Sequence, residues 1–271
     1  MRKRFGMNHK SVNLGGHKLH YLESGSGEIP LVFIHGLLDS SFGFRKLVYH
    51  LPKQYRVFVL DIPGFGRSRM APVKYLYQVD IFASLIYEAL LHLELDNVIL
   101  AGHSMGGLIT AHIAANDKLG IVRKAILIST TVDPHPERDK MRKLLFPSTE
   151  DEILNLIKFL YYETLPEPDR LLKNVLLHLC NSQPYRDLAE NTIAREQEIF
   201  FGKQCRRITA PVLVVAGEDD SITTPAMMKK LKSYIKKSEL KLIPKARHAI
   251  HLEKSLELSK VIVDFLKKGN G

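Results

Sequence analysis

Short apolar runs alternate with helical patterns along most of this chain, and that alternation constrains the fold more than any other feature. Residues 31–34, 56–60, 97–101 and 122–129 are rich in aliphatic, β-branched and aromatic side chains, as parallel strands buried on both faces require. Between them, residues 41–51, 75–95 and 108–115 read as helices. In the second of these, Val79, Phe82, Ala83, Ile86, Leu90 and Leu93 recur at helical spacing. A looser alternation over residues 11–23, broken at Gly15-Gly16, predicts a β-hairpin. Strand–helix–strand order of this kind predicts a mainly parallel sheet with helices on both faces.

The order stops at Thr131 and resumes with strands at 212–216 and 240–243 and helices at 225–234 and 256–266. The intervening stretch carries helical patterns at 153–160 and 171–179, punctuated by Pro147, Pro166, Pro168 and Pro184, and no strand pattern. The expected organisation is therefore an α/β core of residues 1–132 and 206–271 with a helical cap, 133–205, inserted into it. A chain of 271 residues that is 45% hydrophobic has the material for one such core.

Charge and cysteine content narrow the classes further. The formal net charge is +10, and residues 229–268 hold twelve basic residues against Glu239, Glu253, Glu257 and Asp264. Arg2, Lys3, Arg4, Lys10 and Lys18 add to this at the other end, whereas residues 133–205 are slightly acidic, with ten basic and thirteen acidic side chains. The clustered lysines lie on expected helix faces without interleaved aromatic residues, so a solvated face is expected and not a nucleic-acid partner. No run approaches a membrane span, and the basic start is not followed by the apolar segment of a signal peptide. Contact with a membrane surface stays open. Two cysteines, Cys180 and Cys205, give neither a disulfide framework nor a cysteine zinc site, and a reducing cytoplasm is the expected compartment.

Chemistry is expected where strands end. The strand ending at Ala101 runs into Gly102-His103-Ser104-Met105-Gly106-Gly107 and then a helix. Strand, Gly-x-Ser-x-Gly, helix is a turn that lifts a serine hydroxyl clear of the sheet, and the glycines are needed because side chains there would collide with the adjoining elements. A serine hydroxyl needs a base, and the base an orienting acid. Any of Glu218, Asp219 and Asp220 follows the strand ending at Ala216, while His248 and His251 follow the one ending at Ile243. His248-x-x-His251 has metal-like spacing but lacks the glutamate of a His-Glu-x-x-His site, so no metal or organic cofactor is expected. After the strand at 31–34 comes His35-Gly36-Leu37-Leu38-Asp39, where Gly36 suits a backbone that approaches a ligand closely. The Leu37 and Met105 N–H groups are the candidates for holding a developing oxyanion, the second at a helix start. Gly36 and Leu38 are the further candidates for substrate contact.

His35-Gly36, Asp61-Ile62-Pro63-Gly64-Phe65-Gly66-Arg67-Ser68, the serine turn, Gly217-Glu218-Asp219-Asp220 and His248-Ala249-Ile250-His251-Leu252-Glu253 occur in one order. In this the chain resembles the α/β-hydrolase fold serine hydrolases over nearly its whole length. The resemblance implies an eight-stranded, mostly parallel sheet with a helical cap after the sixth strand. It places the nucleophile at Ser104, the acid at Asp220 with Asp219 in reserve, and the base at His248; His35 and His103 resemble structural histidines. Arg247 stands where the family usually has glycine, and Ile250 where proline is common. Serine at the turn sets the chain apart from epoxide hydrolases and haloalkane dehalogenases, which carry aspartate there.

The expected activity is hydrolysis of carboxylic esters through an acyl-enzyme, of an aliphatic acyl group or a monoacylglycerol. One alternative is a methyl esterase acting on an acyl chain attached to an acidic carrier protein, which Arg138, Lys140, Arg142 and Lys143 would suit. Another is a ligand-binding protein that retains the fold without catalysis.

Overall fold

A computed structural model describes residues 6–268, so the basic residues at positions 2–4 lie outside it. Eight strands form one sheet: β1 (Asn8–Leu14), β2 (His17–Ser24), β3 (Ile29–Ile34), β4 (Tyr55–Leu60), β5 (Val98–His103), β6 (Val122–Ile128), β7 (Val212–Gly217) and β8 (Ser238–Ile243). Their spatial order is β1-β2-β4-β3-β5-β6-β7-β8; β1/β2 and β2/β4 pair antiparallel and every other pair is parallel. The expected eight-stranded, mostly parallel sheet is what forms.

Each central strand is buried on both faces, which is why it reads as an unbroken apolar run. In β3, Val32 and Ile34 pack into one layer with Phe82, Ile86 and Ile109, while Leu31 and Phe33 pack into the other with Phe44, Leu47 and Ile262. Helices α1 (Arg45–His50), α2 (Val79–His92) and α3 (Met105–Ala115) connect β3 to β4, β4 to β5 and β5 to β6. The expected helix at 41–51 is two pieces, a 3₁₀ turn over Ser41–Phe44 and then α1, which stops before Pro52. Likewise the pattern at 75–95 yields the shorter α2, preceded by a 3₁₀ turn at Lys74–Leu76.

Between β6 and β7 the chain is helical: α4 (Arg138–Leu145), α5 (Glu150–Leu160), α6 (Arg170–Cys180), α7 (Gln183–Ala194), α8 (Glu196–Ile199) and a 3₁₀ turn, Gly202–Arg207. Helix α5 starts with a capping box between Thr149 and Glu152. Helices α4 and α7 had no counterpart in the sequence pattern. The first has a short, largely charged sequence, and Pro184, which reads as a breaker, instead lies in the first turn of α7, where its missing N–H costs nothing. The chain closes with α9 (Pro225–Tyr234), α10 (Ile250–Glu253) and α11 (Ser255–Lys267).

Two buried charges fix loops and ends. The Asp61 carboxylate, at the end of β4, accepts from the His20 Nδ1–H (2.7 Å) and from the backbone N–H groups of Ser41 (2.6 Å) and Arg67 (2.9 Å). Burial alone would raise its pKa; these donors and the nearby His35 outweigh it and hold the carboxyl at about 2. Gly66, at φ +58°, leaves room for that carboxylate. At the opposite end of the sheet, the buried Lys124 ammonium donates to the carbonyls of Phe265 (3.3 Å), Leu266 (2.9 Å) and Lys268 (2.6 Å), closing the C-terminus of α11.

Candidate active site

Ser104 stands between β5 and α3 with φ 52° and ψ −119°, a conformation that costs a non-glycine residue on the order of 1–3 kcal/mol. The neighbours impose it. A Cβ on Gly102 would lie 2.0 Å from the Gly106 carbonyl oxygen, and one on Gly106 would lie 2.3 Å from the carbonyl oxygens of both Ile34 and His35. Helix α3 therefore starts tight against the ends of β3 and β5, with Ser104 pushed out on the turn between them.

Three strand ends deliver three side chains to one point. The Ser104 Oγ lies 3.0 Å from His248 Nε2, and His248 Nδ1 lies 3.0 Å from an Asp220 carboxylate oxygen. Asp220 and His248 are buried, whereas Asp219 and Glu218 are exposed, which separates the three carboxylates that the sequence left open. The other Asp220 oxygen accepts from the N–H groups of Ile222 and Thr223, both at 2.9 Å, and the Thr223 hydroxyl donates at 2.7 Å to the oxygen that faces His248. Burial pushes the Asp220 carboxyl upward, but His248 and the Thr223 donors outweigh it and leave it below its ordinary value. Thr223 carries no motif of its own, and its short reach to Asp220 is legible only in the structure.

The remaining histidines have other tasks. His35 Nδ1–H donates to the Gly36 carbonyl (2.8 Å) and its Nε2 accepts from the Ile62 N–H (3.0 Å). His103 Nε2–H donates to the His248 carbonyl (2.9 Å), and burial, reinforced by His251 and His248, drives its pKa well down. His251 donates its Nε2–H to Asp39 (2.9 Å).

A cavity of about 430 Å³ opens over Ser104. Leu37, Met105, Leu108 and Thr223 of the sheet side line it, as do Met141, Leu145, Leu188 and Ile193 of the helices between β6 and β7. Leu37 and Met105 thus border the same space as the serine. Gly36 and Leu38 do not. Gly36 is where the loop passes the serine turn, since a Cβ there would meet His103 Nδ1 at 2.9 Å and Ser104 Cβ at 3.0 Å. Leu38, at φ +60°, gives its N–H to the hydroxyl of Tyr185 on α7 (2.8 Å). Tyr185 is a second contributor that no sequence signal marked. Among the described residues no group of three or more His, Cys, Asp and Glu is arranged to hold a metal, and no helix is long and apolar enough to cross a membrane.

The family model described as alpha/beta hydrolase fold matches residues 29–167 and 170–255. The chain belongs to the α/β-hydrolase family. An uncharacterised hydrolase of Bacillus subtilis (strain 168) is 26% identical to this hydrolase, over 89% of this chain and 91% of that protein. A monoacylglycerol lipase of Xenopus laevis is 21% identical over 98% of this chain and 84% of that one. Among solved structures, a putative lipase of Acinetobacter baumannii superposes with a TM-score of 0.86 at 23% identity, covering 98% of this hydrolase and 93% of that chain.

Proposed function

We propose that this hydrolase cleaves carboxylic esters of aliphatic acyl groups, monoacylglycerols included, through an acyl-enzyme on Ser104. The observation that carries the reading is the unbroken relay Ser104–His248–Asp220, with two 3.0 Å contacts, opening into a cavity walled mainly by apolar side chains. Its volume falls within the range of about 300–1,000 Å³ usual for small-molecule sites.

The geometry supports each step of this reading. His248 Nε2 takes the Ser104 proton as the hydroxyl attacks the ester carbonyl, and Asp220 holds the imidazole in the tautomer that makes this possible. The Leu37 and Met105 N–H groups stabilise the tetrahedral oxyanion, the latter at the start of α3. His248 returns the proton to the leaving alcohol, and water repeats the sequence on the acyl-enzyme. The helices from α4 to α8 act as the cap, giving the acyl group an apolar wall and limiting water near the serine.

The methyl-esterase alternative draws no support from the cap charges. Arg138 pairs with Glu196 at 2.6 Å and Lys140 with Glu137 at 3.0 Å, so two of its four cations already have partners. The test is a panel of p-nitrophenyl esters graded by acyl length. Wild-type protein is expected to turn over the short and medium esters, and Ser104→Ala to lose that activity while remaining folded. Turnover that persists in Ser104→Ala sinks the assignment.

A further inference from the structure

A second carboxylate–imidazole pair lies beside the first and takes no part in the relay. Asp39, two residues after Leu37, accepts a hydrogen bond from His251 Nε2–H at 2.9 Å, and His251 sits three residues after His248. His251 is 1% exposed and Asp39 is partly buried, so this polar contact is largely shielded from water. Its seat is built for it. A Cβ on Gly43 would lie 2.3 Å from an Asp39 carboxylate oxygen, so glycine at that position leaves room for the carboxylate where it stands. The His251 ring packs between Phe44 (centroids 4.8 Å apart) and His103 (4.2 Å), and His103 in turn donates to the His248 carbonyl and packs on its ring at 5.0 Å. Asp39, His251, His103 and His248 therefore form a continuous path from the loop after β3 to the loop after β8.

Withdrawing an imidazole and most of a carboxylate from water is costly, and well-packed apolar side chains of similar size would fill the space at least as cheaply. What such packing lacks is direction. A charge-assisted hydrogen bond fixes one atom of one loop against one atom of the other. The Leu37 N–H must meet an oxygen that the Ser104–His248 pair creates, and catalysis by such donors depends on their being held in place beforehand.

We propose that Asp39 and His251 are positioning residues that clamp the Leu37 loop to the His248 loop, keeping the Leu37 N–H in register with the serine and the base. The clamp rests on the nucleophile reading of Ser104 and on no particular substrate. The Leu38 N–H bond to Tyr185 steadies the same loop from the other side but does not link it to His248.

The test reads the rate at which a fluorophosphonate labels Ser104, together with kcat and KM for p-nitrophenyl butyrate and the melting temperature. Asp39→Ala is expected to slow both labelling and kcat about 10- to 100-fold with KM within about threefold, because a misplaced donor is felt in the transition state. Asp39→Asn, whose amide oxygen still accepts from His251, is expected to recover to within about threefold of wild type. The double variant Asp39→Ala/His251→Phe should be no slower than Asp39→Ala, since each change removes the same hydrogen bond and the ring packing is kept. If Asp39→Ala does not fold, His251→Phe serves in its place: it keeps the ring packing on Phe44 and His103 and removes only the donor. Labelling at the wild-type rate by folded Asp39→Ala or His251→Phe overturns the proposal, as does an Asp39→Asn variant as slow as Asp39→Ala. Labelling needs no ester, so a wild-type protein that takes the label yet hydrolyses none of the panel refutes the ester reading alone.

Discussion

Asp61→Asn removes a charge while almost preserving shape, and the structure sets the size of the effect. The Asp61 pKa falls from its ordinary 3.8 to about 2 in the folded protein. A drop of that size corresponds to about 2.4 kcal/mol of stability at pH 7. Asparagine also replaces one acceptor oxygen with an amide NH₂. Asp61 has donors on both oxygens, namely Ser41 on one and His20 and Arg67 on the other, so either amide orientation leaves a buried N–H facing another donor. An unpaired buried donor adds about 1–3 kcal/mol. The variant should therefore be about 4 kcal/mol less stable at pH 7.

The pH dependence of that gap follows from the sign of the shift. A carboxyl whose folded pKa is depressed contributes fully above its unfolded value and loses the contribution as pH falls through the folded one. At pH 3 the linked part falls to about 1.3 kcal/mol, so the difference between wild type and variant should shrink by about 1 kcal/mol. Urea unfolding of both proteins at pH 7 and pH 3 measures this. A gap below about 1 kcal/mol at pH 7, or one that widens on acidification, would refute the reasoning, because both donors and charge would then be immaterial.

Gly106→Ala puts a Cβ 2.3 Å from two backbone oxygens that cannot rotate away, and should cost more than about 3 kcal/mol together with Ser104 labelling; thermal melts and fluorophosphonate reaction report both. Lys124→Met keeps the stem but strips three carbonyls at the end of α11 of their donor, for a loss of about 2 kcal/mol in urea unfolding. Asp220→Asn should lower kcat by about 10⁴ through the wrong imidazole tautomer, whereas Asp219→Asn, at an exposed carboxylate, should stay within about twofold of wild type; steady-state ester hydrolysis separates the two.

The strands were legible because a parallel sheet covered on both faces leaves continuous apolar runs, as in residues 31–34 and 212–216. Ser104 and its flanking glycines were legible because one tight turn imposes its demands within five residues. Asp220 was separated from Asp219 in the sequence by resemblance alone; in the fold, burial and the Thr223 hydroxyl separate them. The helices between β6 and β7 read less well. The apolar runs of α5 and α6 stand out, whereas α4 and α7 bury only a few apolar residues among polar ones, Met141 and Leu144 in the first and Tyr185 and Leu188 in the second. Helix α6 turns much of its apolar face outward, with Leu171 73% exposed and Leu172, Val175 and Leu179 exposed beside it. Periodicity reports that a helix has an apolar face; it does not report what that face meets. Tyr185 and Asp39 were invisible for another reason. Their partners, Leu38 and His251, lie 147 and 212 residues away, and no local pattern encodes a contact of that range.

The hydrogen bond from the Leu38 N–H to Tyr185 makes the inserted helices and the loop after β3 one mechanical unit. A chimera that exchanges residues 133–205 for the equivalent segment of another hydrolase would replace the pocket wall and would also cut this tie. Unless the donor segment supplies a hydroxyl at the same point, the loop loses an anchor at a residue already held at φ +60°. Transplanted specificity would then arrive with a slower reaction, even for substrates that fit the new wall. The portable part of this molecule is thus the insertion together with one acceptor atom aimed back at the sheet.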